Sequence, residues 1–245
     1  MKKFGLQLYT VRNDLKEENA LEVMQKIKEA GYSYVQVAGD LATIERTGLL
    51  AKAAGLRVVG SSSNISTVLD DFDKAIEIHK SIGAYDIGVS ANLKSIAEVE
   101  EFIEKANALA DRLSEYGISF SYHNHSREFV RFENGKHTYD MLIEGLTSKN
   151  AYFMPDSYWL QHGGADVRFY LEKLKGRIKT VHLKDAKMTA DVMTYSEIGN
   201  GNLWWEGILE SAKNAGVEYY VVEQDKCDGS PLDSIKISAD YLKTI

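Results

Sequence analysis

One cysteine, Cys227, in 245 residues excludes any disulfide within the chain and suits a reducing compartment. Only two prolines occur, Pro155 and Pro231, and no proline-rich or glycine-serine-rich stretch marks a linker. No apolar run approaches the roughly 20 residues of a membrane span. The stretch Met1–Thr10 carries Lys2 and Lys3 but lacks the apolar core of a secretory signal. There is no long basic block, and the formal net charge is −7. Nucleic acid is therefore a poor partner, because its phosphates need Lys and Arg. A pocket can differ from the mean charge, so a small anion is not excluded. These absences predict a soluble, cytoplasmic protein that engages neither membrane nor nucleic acid. A homo-oligomer is compatible with them and is not required by them.

What is present is a repeated pattern. An amphipathic segment ends in glycine, and a short β-branched or aromatic run follows at once. It occurs at Gly31, Gly55, Gly83, Gly117, Gly176 and Gly216. Glycine just past a helix takes the left-handed conformation that closes the last turn. The runs after it read as strands buried on both faces, which pair in parallel through helical crossovers. Eight strands are predicted, near 4–9, 34–38, 57–61, 84–89, 118–123, 151–155, 178–183 and 218–223. Helices fill the gaps, for example 19–30, 95–115, 204–215 and 231–243. The 245 residues match the roughly 250 of a (β/α)₈ barrel. The expected fold is an α/β (β/α)₈ TIM barrel, a single domain over 1–245. An open doubly wound sheet would need a glycine-rich loop after the first strand, and Leu8-Tyr9-Thr10-Val11 is not one.

In such a barrel the C-terminal strand ends carry the chemistry. Strand five ends in Tyr122-His123-Asn124-His125, followed by Glu128. Strand six leads to Asp156, then Trp159 and His162; strand seven ends in His182-Leu183-Lys184-Asp185; strand eight ends in Glu223-Gln224-Asp225. Four of the six histidines fall in these segments. Alternation along a strand puts Ser121 and His123 on one face, and His182 and Lys184 on one face. Imidazole plus carboxylate suits a divalent metal. One ligand per strand selects His123, Asp156, His182 and Glu223, with His125 the substitute for His123. A lone histidine at a strand end more often makes a structural hydrogen bond, so the weight lies on the set of four. Trp204 is a candidate sugar-stacking residue, although aromatics opening a helix usually pack. Tyr9, with Gln7 and Gln36, is a candidate for the pocket wall, as are Trp159 and His162.

The segments YHNHSREF at 122–129, Asp156–Trp159–Gly164, VHLKD at 181–185 and IGNGNLWWEGIL at 198–209 give the chain a resemblance to the sugar phosphate isomerase/epimerase family, the xylose isomerase-like barrels. The likeness runs almost from end to end. It implies a metal held by a strand-five carboxylate, Asp or Glu at six, His at seven and Glu at eight. The matching positions are His123, Asp156, His182 and Glu223. Histidine at strand five departs from the two-glutamate pattern of the ketose 3-epimerases and puts a symmetric epimerisation in doubt. Gly60-Ser61-Ser62-Ser63 stands where many relatives place a histidine, which disfavours the multi-metal nuclease branch. The YHNH pattern resembles a subgroup with inositol-catabolism dehydratases and enzymes acting on 3-keto sugars.

The resemblance implies one divalent ion (Mn²⁺, Zn²⁺ or Co²⁺) and a sugar or polyol substrate. The expected reaction is proton transfer beside a carbonyl through an enediolate. Glu223 or Glu128 is the expected base, and Lys184 or His125 the group that returns the proton or protonates a leaving hydroxyl. Elimination is preferred slightly over epimerisation. The alternatives are a metal-dependent phosphodiesterase or abasic-site-endonuclease-like enzyme, and a non-catalytic sugar-binding barrel.

Overall fold

The computed structural model describes residues 3–245. The chain begins with β1 (Gly5–Gln7), a 3₁₀ turn (Leu8–Val11), α1 (Ala20–Ala30), β2 (Tyr34–Ala38), α2 (Leu41–Ala53) and β3 (Arg57–Ser63). It continues with α3 (Ile65–Asp70), α4 (Phe72–Ile82), β4 (Asp86–Val89), α5 (Ile96–Ser114), β5 (Ser119–His123) and a second 3₁₀ turn (Ser126–Phe129). Next come α6 (Thr138–Gly145), β6 (Ala151–Met154), α7 (Ser157–His162), α8 (Val167–Lys173) and β7 (Thr180–Leu183). The last part holds β8 (Asp185–Thr189), β9 (Val192–Ser196), α9 (Trp205–Ala215), β10 (Tyr219–Val222) and α10 (Pro231–Thr244).

Eight of these strands pair in parallel in the order β6-β5-β4-β3-β2-β1-β10-β7. Single parallel bridges, Phe153 to Ile178 and Asp156 to His182, close β6 onto β7. The result is a nearly closed (β/α)₈ barrel, as the repeat predicts. All six predicted glycines have positive φ, from +70° to +108°. At Gly31 the amide returns to the carbonyls of Ile27 and Lys28, which satisfies the open end of α1. Among the described residues no helix is long and apolar enough to cross a membrane.

Three features depart from the expectation. The first strand stops at Gln7, because Leu8–Val11 winds into a 3₁₀ turn whose N-cap is the Gln7 side chain. The third strand runs two residues further, to Ser63, past a shift of register between Val35 and Gln36 of its partner. The segment after strand seven forms an antiparallel hairpin, β8 with β9, outside the barrel sheet. Its alternation is weak, with only Asp185, Ala186 and Ser196 buried, so no strand signal stands out from the sequence.

Two cores result. The larger fills the space between strands and helices, with Val35, Ile87, Phe120, Leu183 and their neighbours. The smaller plugs the N-terminal end of the barrel with Tyr34, Val59 and Val221. Above that plug the interior turns polar. Asp86 Oδ1 accepts from Ser119 Oγ at 2.5 Å and Ser121 Oγ at 2.8 Å, while Oδ2 is buried without a partner. Burial pushes the Asp86 carboxyl up to about 6, against the pull of the two serines and Lys179.

That shift has a thermodynamic sign. A carboxyl raised from 3.8 to about 6 on folding favours the native state while protonated, and the advantage disappears as pH rises through about 6. Wild type should therefore lose up to about 3 kcal/mol relative to Asp86→Asn between about pH 4 and pH 6. Urea denaturation at a series of pH values measures the difference. A gap independent of pH would mean that burial does not raise the Asp86 carboxyl above its unfolded value.

Candidate metal centre and active site

The four strand-end residues reach a common point for local reasons. Ser121 and His123 follow Ser119 on the inward face of β5, while Tyr122 packs outward against Phe102 of α5. Asp156 is the N-cap of α7: its Oδ1 accepts from the Trp159 amide at 3.0 Å, which leaves Oδ2 facing inward. The His182 amide donates to the Pro155 carbonyl at 2.9 Å, and the Glu223 amide to the Leu183 carbonyl at 3.0 Å. The last bonds of the barrel ladder thus set three of the four side chains side by side.

One donor atom from each of His123, Asp156, His182 and Glu223 lies within 4.8 Å of every other, and all four residues are buried. His182 Nδ1 is 3.0 Å from Glu223 Oε2 and 3.1 Å from His123 Nε2. His123 Nε2 is 3.4 Å from Asp156 Oδ2 and 4.0 Å from Glu223 Oε2. Donors bound to one divalent ion at about 2.0–2.2 Å stand roughly 3.0–3.5 Å apart. Three of these separations fall in that range and the longer ones lie within a small side-chain shift of it, so two imidazole nitrogens and two carboxylate oxygens fit a divalent cation by chemistry and can close on one.

Lys184 enters the same group. Its Nζ lies 2.9 Å from Asp156 Oδ2, 2.8 Å from Glu223 Oε2 and 2.7 Å from Asp225 Oδ2, and the residue is fully buried. Burial opposes its charge, but the three carboxylates outweigh burial and raise the ammonium well above its ordinary range. Burial likewise opposes ionisation of Glu223, and Lys184 with His182 reverses the sign and holds the carboxyl well below its usual value. Burial holds His182 down, so the ring is neutral. A strand face shared with His182 predicts an ammonium at the open end of the barrel; Lys184 is instead folded in against Asp156, Glu223 and Asp225 as a fixed cation beside the cluster.

A cavity of about 560 Å³ opens above the four residues. His123, His182 and Glu223 line its floor; Tyr9, Arg12, Asp40, Ser62, Ser63, Asn64, His125 and Asp225 are among its walls. Tyr9 is exposed, and the Arg12 guanidinium stacks 3.9 Å from its ring centre. Arg12 also donates to the carbonyls of Tyr9 at 2.6 Å and Asp225 at 3.0 Å. Burial, with His123 and Arg127, holds His125 down to about 3. Arg127 donates to its Nδ1 at 3.1 Å, which leaves the proton on Nε2.

Other predicted residues are placed elsewhere. Glu128 is buried away from the cavity: Tyr122 Oη donates to it at 2.9 Å and the His125 amide at 3.0 Å, so it holds the strand-five loop. Trp159 stands 5.2 Å from His125 and 5.3 Å from Lys184 Nζ, behind the cavity wall. His162 is exposed and stacks on Tyr158, and Trp204 opens onto a separate groove with Arg168. The buried tryptophan of the pair is Trp205, whose Nε1 donates to Asp185 at 2.7 Å. Asp185 also accepts from the amides of Ala186, Gly199, Gly201 and Leu203, which gives the IGNGNLWW segment a structural purpose. A side chain at Gly201 would run into the Asp185 carboxylate and the Ala186 carbonyl. Sequence reasoning passed over Asp225 and Arg12. The alternation that pairs His182 with Lys184 equally pairs Glu223 with Asp225. Arg12 follows the unforeseen 3₁₀ turn and had no comparable signal.

A profile of the xylose isomerase-like TIM barrel matches residues 7–245. The chain belongs to this family. An inosose dehydratase of Mesomycoplasma hyopneumoniae is 22% identical over 270 aligned positions, covering 91% of this chain and 88% of that protein. Further inosose dehydratases match over 60% of this chain, which spans about half of their length. A sugar phosphate isomerase/epimerase of Parabacteroides distasonis superposes with a TM-score of 0.86 at 23% identity, over 100% of this chain and 99% of that one. The 3-keto-D-glucoside 4-epimerase of E. coli does so with a TM-score of 0.76 at 16% identity, over the whole of both chains. At these identities the structural likeness shows the fold. The family's named members here are enzymes.

Removing the central cation gives a direct test. Lys184→Met leaves two buried carboxylates and the half-buried Asp225 without their counter-charge and should destabilise the protein by about 3–5 kcal/mol. Added Mn²⁺ should restore a larger share of the melting temperature in the variant than in wild type, because the ion replaces the lost charge. Thermal melts with and without metal read both effects. Equal metal stabilisation of the two proteins would separate Lys184 from the cation site.

Proposed function

We propose that the protein is a metal-dependent enzyme that moves a proton beside the carbonyl of an unphosphorylated keto-sugar or keto-polyol, passing through an enediolate. The observation that carries this reading is the four-residue donor cluster below a cavity whose walls include hydroxyls, amides and carboxylates. A divalent cation held by His123, Asp156, His182 and Glu223 would supply the positive charge that stabilises the anion left when a carbon beside a carbonyl loses its proton.

The chain's own residues account for the rest. Ser62, Ser63 and Asn64 offer hydrogen bonds to substrate hydroxyls, and Asp40 and Asp225 accept from them. Arg12 is the cavity's guanidinium, with two of its five N–H donors held by carbonyls, and the carboxylates Asp40, Glu223 and Asp225 line the same cavity, so a phosphate would meet more negative than positive charge. This supports a neutral substrate, and it weighs against a phosphodiester. Tyr9, with Arg12 stacked on it, forms an aromatic wall against which a sugar ring can lie.

Glu223 and Asp225 are the carboxylates that take or return a proton, and both come from the end of β10. Lys184 holds them in place. The facing wall, from β5, presents the imidazoles His123 and His125, and His125 Nε2–H donates to a substrate oxygen. A base on each face of one carbon, as symmetric epimerisation needs, is absent from this arrangement. Carboxylates on one side and a hydrogen-bond donor on the other favour loss of a hydroxyl or alkoxide from the neighbouring carbon. The dehydratase names among the relatives agree with that preference.

Incubation with Mn²⁺, Zn²⁺ or Co²⁺ and a panel of ketoses, inososes and 3-keto-glycosides in D₂O tests the reading. The expected outcome is metal-dependent release of water or aglycone, with phosphorylated analogues turned over at least tenfold less well. Glu223→Gln should remove activity by about 10²-fold or more. Inversion of a ketose carbon with deuterium gain and no group lost would replace elimination by epimerisation. No exchange of any carbon-bound proton across the panel would reject the enediolate chemistry.

A further inference from the structure

His182 can bind a cation through Nδ1 only if its proton sits on Nε2. Neither an imidazole nor a glutamine amide fixes its own polarity, since a ring tautomer or an amide orientation can satisfy the same contacts in two ways. A chain of hydrogen bonds ending on a backbone amide removes that ambiguity, because a backbone N–H only donates.

Such a chain is present. The Tyr9 amide donates to Gln7 Oε1 at 3.3 Å. That turns Gln7 Nε2 towards Gln36, where it donates to Oε1 at 2.7 Å, with Ser62 Oγ at 3.4 Å as a second acceptor. Gln36 therefore presents its oxygen to His182 Nε2, 2.6 Å away. Its own amide nitrogen points to the thioether of Met154 at 3.3 Å, a weak acceptor that tolerates a donor and offers none. Gln7, Gln36 and His182 are all about 1% exposed, so water does not compete. On the far side of the ring, His182 Nδ1 faces Glu223 Oε2 at 3.0 Å and His123 Nε2 at 3.1 Å.

We infer that Gln7 and Gln36 are positioning residues that transmit the polarity of the Tyr9 amide to His182, fixing the Nε2–H tautomer and leaving Nδ1 as the cation-binding nitrogen. The 3₁₀ turn after β1 thus sets the protonation of a residue on β7, across the barrel. The tautomer itself is independent of function, whereas its consequence for metal rests on the metal-dependent reading above.

Nearly isosteric glutamates separate this from simple packing. Gln36→Glu keeps an acceptor against His182 Nε2. Gln7→Glu keeps an acceptor for the Tyr9 amide but loses the donor to Gln36, so Gln36 must turn its NH₂ to Gln7 and to His182. The ring then carries its proton on Nδ1. Both variants add one negative charge, which by itself favours a cation. Isothermal titration with Mn²⁺ should nevertheless show about 10–100-fold weaker binding for Gln7→Glu, the usual size of an outer-shell effect, and no loss for Gln36→Glu. Two-bond ¹⁵N–¹H correlation of the His182 ring in metal-free wild type should show a protonated Nε2; the Glu223 carboxylate 3.0 Å from Nδ1 is itself an acceptor, so the proton-free Nδ1 is read in the Zn²⁺-bound protein. Unprotonated Nε2 in wild type, or equal metal affinity in both variants and wild type, would overturn the inference. A wild type with Nε2–H that binds no divalent ion would instead reject the metal reading and leave the tautomer assignment standing. The wild-type spectrum decides the tautomer even if Gln7→Glu fails to fold.

Discussion

A buried ammonium among two buried carboxylates and a half-buried third is the interaction on which the rest of the site depends. Asp156, Glu223 and Asp225 come from the ends of two different strands, yet each places an oxygen within 2.9 Å of Lys184 Nζ. Without that charge the carboxylates would repel one another and take up protons, because desolvation favours their neutral forms. With it, Asp156 and Glu223 are held ionised beside two imidazoles. Such a group is costly to bury and is a poor source of stability by itself. Its value is geometric: it preorganises anionic ligands before any cation arrives.

Around this centre the barrel supplies layers of decreasing polarity. Below lie Gln36, Met154 and Asp86 with its two serines; further down, Tyr34, Val59 and Val221 close the N-terminal end. Outside, apolar side chains on the alternate strand positions lock the helices in place. The loops then finish the site. Arg12 ties the turn after β1 to the segment after β10, and Asp185 gathers the backbone after the β8–β9 hairpin. Each clamp joins a strand-end segment to backbone outside that strand, and both lie on the β1-β10-β7 side of the barrel.

The sequence by itself determined the eight barrel strands, the helix-closing glycines and the four donor residues. These are local properties: a period of hydrophobicity, a backbone conformation that glycine adopts easily, and alternation along a strand. The same alternation carried the information about Asp225. The tertiary structure alone decided what depends on contacts between distant segments. It put Lys184 inside the cluster instead of at the mouth, committed Glu128 to Tyr122 and the His125 amide, and turned Trp204 outward while Trp205 met Asp185. It also joined Gln7 to Gln36 and His182. Residue spacing along one strand fixes which face a side chain takes, but not how far a flexible lysine reaches, nor which partner satisfies a buried carboxylate. Those outcomes follow from the requirement that every buried charge and donor find its counterpart across the barrel.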